Sequence, residues 1–115
     1  MAVTQILGLL DEINTVLVAH RVQKWFDFLS DTSTRLRDAA GTHNSKETLS
    51  ILEELDSLFR GMGSFNDLFI TNQAGHDILP GEIDAVNANL QSLQEELFCA
   101  TREEIVRLNA IQRRD

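Results

Sequence analysis

The chain has no tyrosine, one proline and one cysteine in 115 residues. Each scarcity closes off a class of structure. A lone thiol, Cys99, cannot form an internal disulfide, so a cross-linked scaffold is excluded and a reducing cytoplasm is the expected compartment. One proline and few β-branched runs point away from sheet and toward helices. Long apolar runs are missing as well: Val16 to Ala19 is the longest aliphatic stretch, far too short to cross a bilayer. The N-terminus has no Lys or Arg ahead of its apolar residues, and Asp11 and Glu12 interrupt them, unlike a signal peptide. Bases are the scarcer charge, 10 against 18 acids, leaving a net charge of −8. That balance repels nucleic acid and anionic lipid, favours solubility and suits a basic protein partner.

What is present is ordinary for a globular protein: 43% hydrophobic and 24% charged residues in 12.9 kDa. Area scaling gives roughly 6,300 Å² of folded surface against about 18,700 Å² unfolded, so about two-thirds is buried on folding. Residues 1–115 therefore form a single domain with one self-sufficient core.

Apolar spacing organises that core. Ile6, Leu10, Ile13 and Leu17, widened by Leu9 and Val16, make an amphipathic helix over 3–18. From Val18 the phase slips by one residue: Val18, Val22, Trp25, Leu29 and Leu36 form a second stripe, supported by Phe26 and Ala39. A break near Ala19–His20 is expected, although no Gly or Pro marks it and a single bent helix is the alternative. Asp31 and Arg35 can pair at i,i+4. Gly41 suits a C-cap, and Asn44 with Glu47 reads as a capping box. The third helix, 45–60, turns Leu49, Ile51, Leu52, Leu55, Leu58 and Phe59 inward, and Gly61 ends it.

Residues 61–80 are irregular yet apolar at Phe65, Leu68, Phe69 and Ile70, so they must pack back onto the helices, with a short extended stretch at 67–71 as one option. The last element runs from about Pro80 to Arg113, proline being tolerated near a helix start. Its stripe of Ile83, Val86, Leu90, Leu93 and Leu97 shifts to Phe98, Ile105, Leu108 and Ile111. A straight helix of that length reaches roughly 50 Å, more than a compact globule about 34 Å across can hold. Thr101 with Glu104 reads as a second capping box and favours a break, whereas the lack of Gly or Pro after Glu82 favours one long helix with exposed last turns. The fold class expected is all-α: a compact bundle of about four helices, the Gly61–Ile70 segment packed across it, and a long C-terminal helix.

No catalytic set emerges. His20, His43 and His76 lack a second His or Cys at i+3 or i+4, so no metal site is expected, and they read as exposed loop residues. The acidic doublets Glu53-Glu54, Glu95-Glu96 and Glu103-Glu104 point about 100° apart on a helix and cannot converge as an acid/base couple. Cys99 sits among glutamates that disfavour its thiolate, and reads as a packed or semi-buried small residue. Gly61-x-Gly63 lacks both the third glycine of a dinucleotide site and the Gly-Lys-Ser/Thr of a phosphate loop. It reads as a turn capped by Ser64, Asn66 or Asp67. Trp25-Phe26 reads as core.

The run Gly61-Met-Gly-Ser-Phe-Asn-Asp-Leu68 resembles the signature of a small family of uncharacterised bacterial helical proteins, which also place a tryptophan in the second helix, as Trp25 does here. That resemblance implies a bacterial cytoplasmic origin and no established activity. Small acidic helical proteins of this kind are similar, as a class, to immunity proteins encoded beside secreted toxins. The expected function is thus non-enzymatic: direct binding and neutralisation of a toxin domain with a basic surface, without cofactor, nucleic acid or membrane. Ser64, Asn66, Asp67, His76 and Asp77 are the candidate partner contacts, because loops on a rigid scaffold carry recognition. The alternative is a structural or regulatory subunit that homodimerises through Phe98, Ile105, Leu108 and Ile111. A third reading, a small enzyme or ligand-binding protein, needs a pocket lined by Arg60, Asn66 and Asp67.

Overall fold

Two tight reversals and one long crossing shape the chain. In the computed structural model, which describes residues 2–59, 65 and 68–113, helix α1 spans Ala2–Ala19, α2 Gln23–Gly41, α3 Ser45–Ser57 and α4 Ile83–Arg113. Short 3₁₀ turns at Asn72–Ala74 and Pro80–Glu82 punctuate the connection into α4. Among the described residues there is no strand; Thr71 has extended backbone but pairs in no ladder.

Both reversals use the same device. At the end of α1, the Val22 amide donates to Leu17 O (2.9 Å) and the Arg21 amide to Val18 O (3.3 Å), with Arg21 in the left-handed region at φ 58°. At the end of α2, the Asn44 amide donates to Ala39 O (2.9 Å) and the His43 amide to Ala40 O (3.1 Å), with His43 at φ 55°. These are Schellman terminations, in which a left-handed residue lets the last carbonyls find donors. Glycine is the usual occupant; Arg21 and His43 accept the position at a cost of about 1 kcal/mol each. The break expected near Ala19–His20 is therefore real, and it needed no glycine. Gly41, expected as the cap, is instead the last residue of α2.

α1 buries Ile6, Leu9, Leu10, Ile13 and Leu17, and α2 buries Val22, Leu29, Leu36 and Ala39. Trp25 and Phe26 pack partly buried against this cluster. Val18, expected to open the second stripe, is exposed on the outer side of α1. Asn44 Oδ1 accepts from the Glu47 amide at 3.1 Å and starts α3 as expected. Arg35 reaches Asp31 at 3.7 Å but meets Glu54 of α3 more closely, at 2.8 Å, and this hydrogen bond holds its pKa above the ordinary value.

Each helix packs on its sequence neighbours, and α4 closes the ring against α1. α4 starts beside the α1–α2 turn, where Asp77 is bonded to His20. It descends until Leu108 shares a small cleft with Val3 and Thr48, at the far end of the bundle. The order is up-down-up-down. At 31 residues α4 is about 46 Å long, against about 27 Å for α1. The molecule accordingly measures 53 × 23 × 22 Å, with a radius of gyration of 15.1 Å instead of the about 13 Å of a compact chain.

No break occurs at Thr101. Leu90, Leu93, Gln94, Leu97, Ala100, Thr101, Glu104 and Leu108 form one unbroken buried stripe. Three inward positions, Gln94, Thr101 and Glu104, simply carry polar residues. Glu104 is held by Arg107, whose Nε and Nη2 both bond its carboxylate, the second at 2.8 Å. That bond holds the Arg107 pKa above its ordinary value. Thr101 Oγ1 is buried without a hydrogen-bond partner. Leu108 belongs to the core, with Phe98 and Ile105 packed partly buried against it, so of the four residues expected at a dimer face only Ile111 is exposed. Cys99, expected to be packed, is exposed.

Candidate functional site

α3 is too short for its place. With 13 residues it covers about 20 Å, leaving the upper part of its column open beside α2 and α4. The irregular segment fills the gap. Phe65 is fully buried, its ring 4.9 Å from that of Trp25 and 5.9 Å from that of Phe59; Ile70 and Ile78 are buried above it.

A non-helical segment in a helical core must find partners for its backbone polar groups. α4 supplies them through two amide side chains. Asn87 Oδ1 accepts from the Ile70 amide at 2.7 Å, and Asn87 Nδ2 donates to Ile70 O and Ile83 O, both at 2.8 Å. About two turns further on, buried Gln94 donates to Phe65 O at 2.7 Å. The Phe65 amide itself donates to Leu58 O at 2.7 Å.

The segment's return is pinned at its other end. The Asp77 amide donates to His20 O at 2.9 Å, and His20 Nδ1–H donates to Asp77 O at 2.8 Å. His76 Nδ1 accepts from the Thr71 amide at 3.2 Å, closing the turn around left-handed Gly75 (φ 86°). Of the expected partner contacts, Ser64, Asn66 and Asp67 lie outside the described residues, as does Arg60 of the expected pocket. His76 and Asp77 are described and sit together, but His76 and the Asp77 backbone fasten the segment. The Asp77 carboxylate lies exposed, 3.8 Å from Arg21 Nε.

What this segment leaves on the surface was not anticipated. Phe69 is 54% and Leu79 67% exposed. Beside Phe69 runs an open groove of about 390 Å³, walled by Leu68 and Phe69 on one side and by Asp84, Asn87, Ala88, Gln91 and Gln94 of α4 on the other. Among the described residues that line it, Asp84 alone is charged, and between Gly61 and Thr101 the chain has six acidic residues and no lysine or arginine. Arg102, the first cation beyond, is already bonded to Asp56 (3.2 Å) and stacked over Phe98 (4.9 Å). The sequence signal for this groove was available in that base-free stretch. Asn87 and Gln94 as clamps carried no signal, since amides on a helix usually face water.

Among the described residues, no group of three or more His, Cys, Asp or Glu is placed to hold a metal ion, and no helix is long and apolar enough to cross a membrane. No protein-family model, curated protein or solved structure matches this chain.

Proposed function

We propose that this chain is a bacterial, cytoplasmic immunity protein that neutralises a cognate secreted toxin by covering a basic surface of its active domain. The observation that supports the reading most directly is the exposed pair Phe69 and Leu79, standing in a stretch of chain with acids and no bases. Acidic groups steer a basic partner and reject nucleic acid, while apolar side chains supply contact area once it arrives. A rigid support behind the contact surface limits the ordering cost of binding, and the amide clamps of Asn87 and Gln94 give that support.

The test is genetic and direct. Deleting the gene should poison its host when an adjacent secreted-toxin gene is intact, and growth should return when that toxin's active domain is removed. The purified protein should then bind the domain in a 1:1 complex and abolish its activity. A deletion that leaves growth unchanged, with no binding to the neighbouring gene product, would reject neutralisation.

A further inference from the structure

The groove beside Phe69 has a chemistry that narrows its occupant. Asp84, Ala88, Gln91 and Glu95 lie on one line of α4, because steps of four, three and four residues return to nearly the same azimuth. All four are exposed. The line presents a carboxylate at each end, Asp84 in the groove wall and Glu95 about one turn beyond Gln91, about 16 Å apart along the helix axis, with small Ala88 between them. Phe69 stands along one side as an apolar wall.

We infer that this groove receives a basic amphipathic helix of a protein partner, with two cationic side chains about three turns apart meeting Asp84 and Glu95 and an apolar side chain lying over Ala88 against Phe69. Charge decides the occupant. A second copy of this chain would bring a net charge of −8 against the same acids, and nucleic acid or anionic lipid would be repelled likewise. A free polyamine could meet both carboxylates but has no use for Phe69. A helix suits the opening because α4 runs continuously beside it, with small Ala88 at mid-length, so that a second helix can lie along it at 8–10 Å, the usual interaxial range. The inference rests on the binding function proposed above and names the surface and partner element that would serve it.

The full-length protein, labelled with nitrogen-15, is titrated with a helical peptide about four turns long. The peptide carries lysines at the same eleven-residue spacing and a leucine between them. Saturable shifts should centre on Phe69, Ala88 and Gln91, and should be absent with glutamates in place of the lysines. The double variant D84K/E95K should bind about tenfold more weakly or worse, and Phe69→Ala several-fold more weakly. Reversing exposed Glu53 on α3 should change little. All these side chains are exposed, so unchanged circular dichroism verifies the fold. Shifts centred elsewhere, binding indifferent to D84K/E95K, or equal shifts from spermidine would each overturn the assignment. A toxin captured equally by D84K/E95K would remove the groove while sparing neutralisation. Peptide binding in a protein that protects no host would do the reverse.

Discussion

The column between α2 and α4 is built in two ways. Its lower part is α3, which satisfies its own backbone and meets its neighbours through apolar Leu49, Ile51, Leu52 and Leu55 and through the ion pairs Glu54–Arg35 and Asp56–Arg102. Its upper part is the irregular segment, which buries Phe65 and Ile70 as deeply but depends on side chains of α4 for its polar groups. The helical half is anchored by shape and side-chain ion pairs, and its backbone needs nothing from its neighbours. The irregular half is anchored by shape plus a few named hydrogen bonds, and in exchange it can present Phe69 and Leu79 to a partner. A helix continued through this space would have placed its side chains at fixed azimuths.

The strongest way to break the comparison is to remove the one ring on which the upper half is built. Phe65→Ala should cost about 3–5 kcal/mol, at the upper end for core truncations, because Trp25 and Phe59 each lose a ring contact. Leu52→Ala in α3 should cost about 2–5 kcal/mol. Urea denaturation measures both. If Phe65→Ala costs under about 1 kcal/mol, the upper half is an ornament and not core.

Asn87→Ala sharpens the contrast, because no backbone group of α3 relies on a side chain from a neighbouring helix. It strands the Ile70 amide and carbonyl together, for an expected loss of about 2–3 kcal/mol. Hydrogen exchange should quicken at Ile70 while the amides of Leu52 and Leu55 keep their protection. Uniform loss of protection in both places would mean that the halves unfold as one unit.

A smaller effect belongs to the helical half. Asn44→Ala removes the cap on the Glu47 amide and should lower stability by about 1 kcal/mol, read as a fall in the urea midpoint at constant slope.

The same division explains what could be read from sequence. α3 was legible because apolar spacing and the Asn44 cap report on a structure that is locally self-consistent. The α1–α2 break was legible from the phase slip between Leu17 and Val22, although the device that makes it, Arg21 in a left-handed conformation, leaves no trace in residue type. The irregular half was legible only as an apolar stretch that must pack somewhere. Its position depends on Asn87 and Gln94, which lie 17 and 29 residues from the backbone groups they hold. Such long-range polar pairing has no periodicity to betray it. For the candidate site, composition pointed to an acidic surface, while the loop residues His76 and Asp77 turned out to fasten the segment, and Phe69 and Asp84 emerged only from the packing.

α4 was expected as one long helix and is one, but it carried a contrary signal, and the smallest prediction turns on it. Thr101 and Glu104 have the spacing of a capping box, so polar residues at inward positions looked like a helix start. In the continuous helix, Thr101 is fully buried with its hydroxyl unpaired, and Glu104 is turned to Arg107. Replacing Thr101 with the nearly isosteric valine removes an unsatisfied polar group and leaves the packing in place. Stability should therefore stay level or rise by up to about 1 kcal/mol. Were Thr101 the N-cap of a separate helix, the same substitution would lose about 1 kcal/mol. The sign of the change in thermal midpoint separates a 31-residue rod from two shorter helices. It also tests whether polar residues on the inner face of α4 are there for stability, as Asn87 is, or in spite of it.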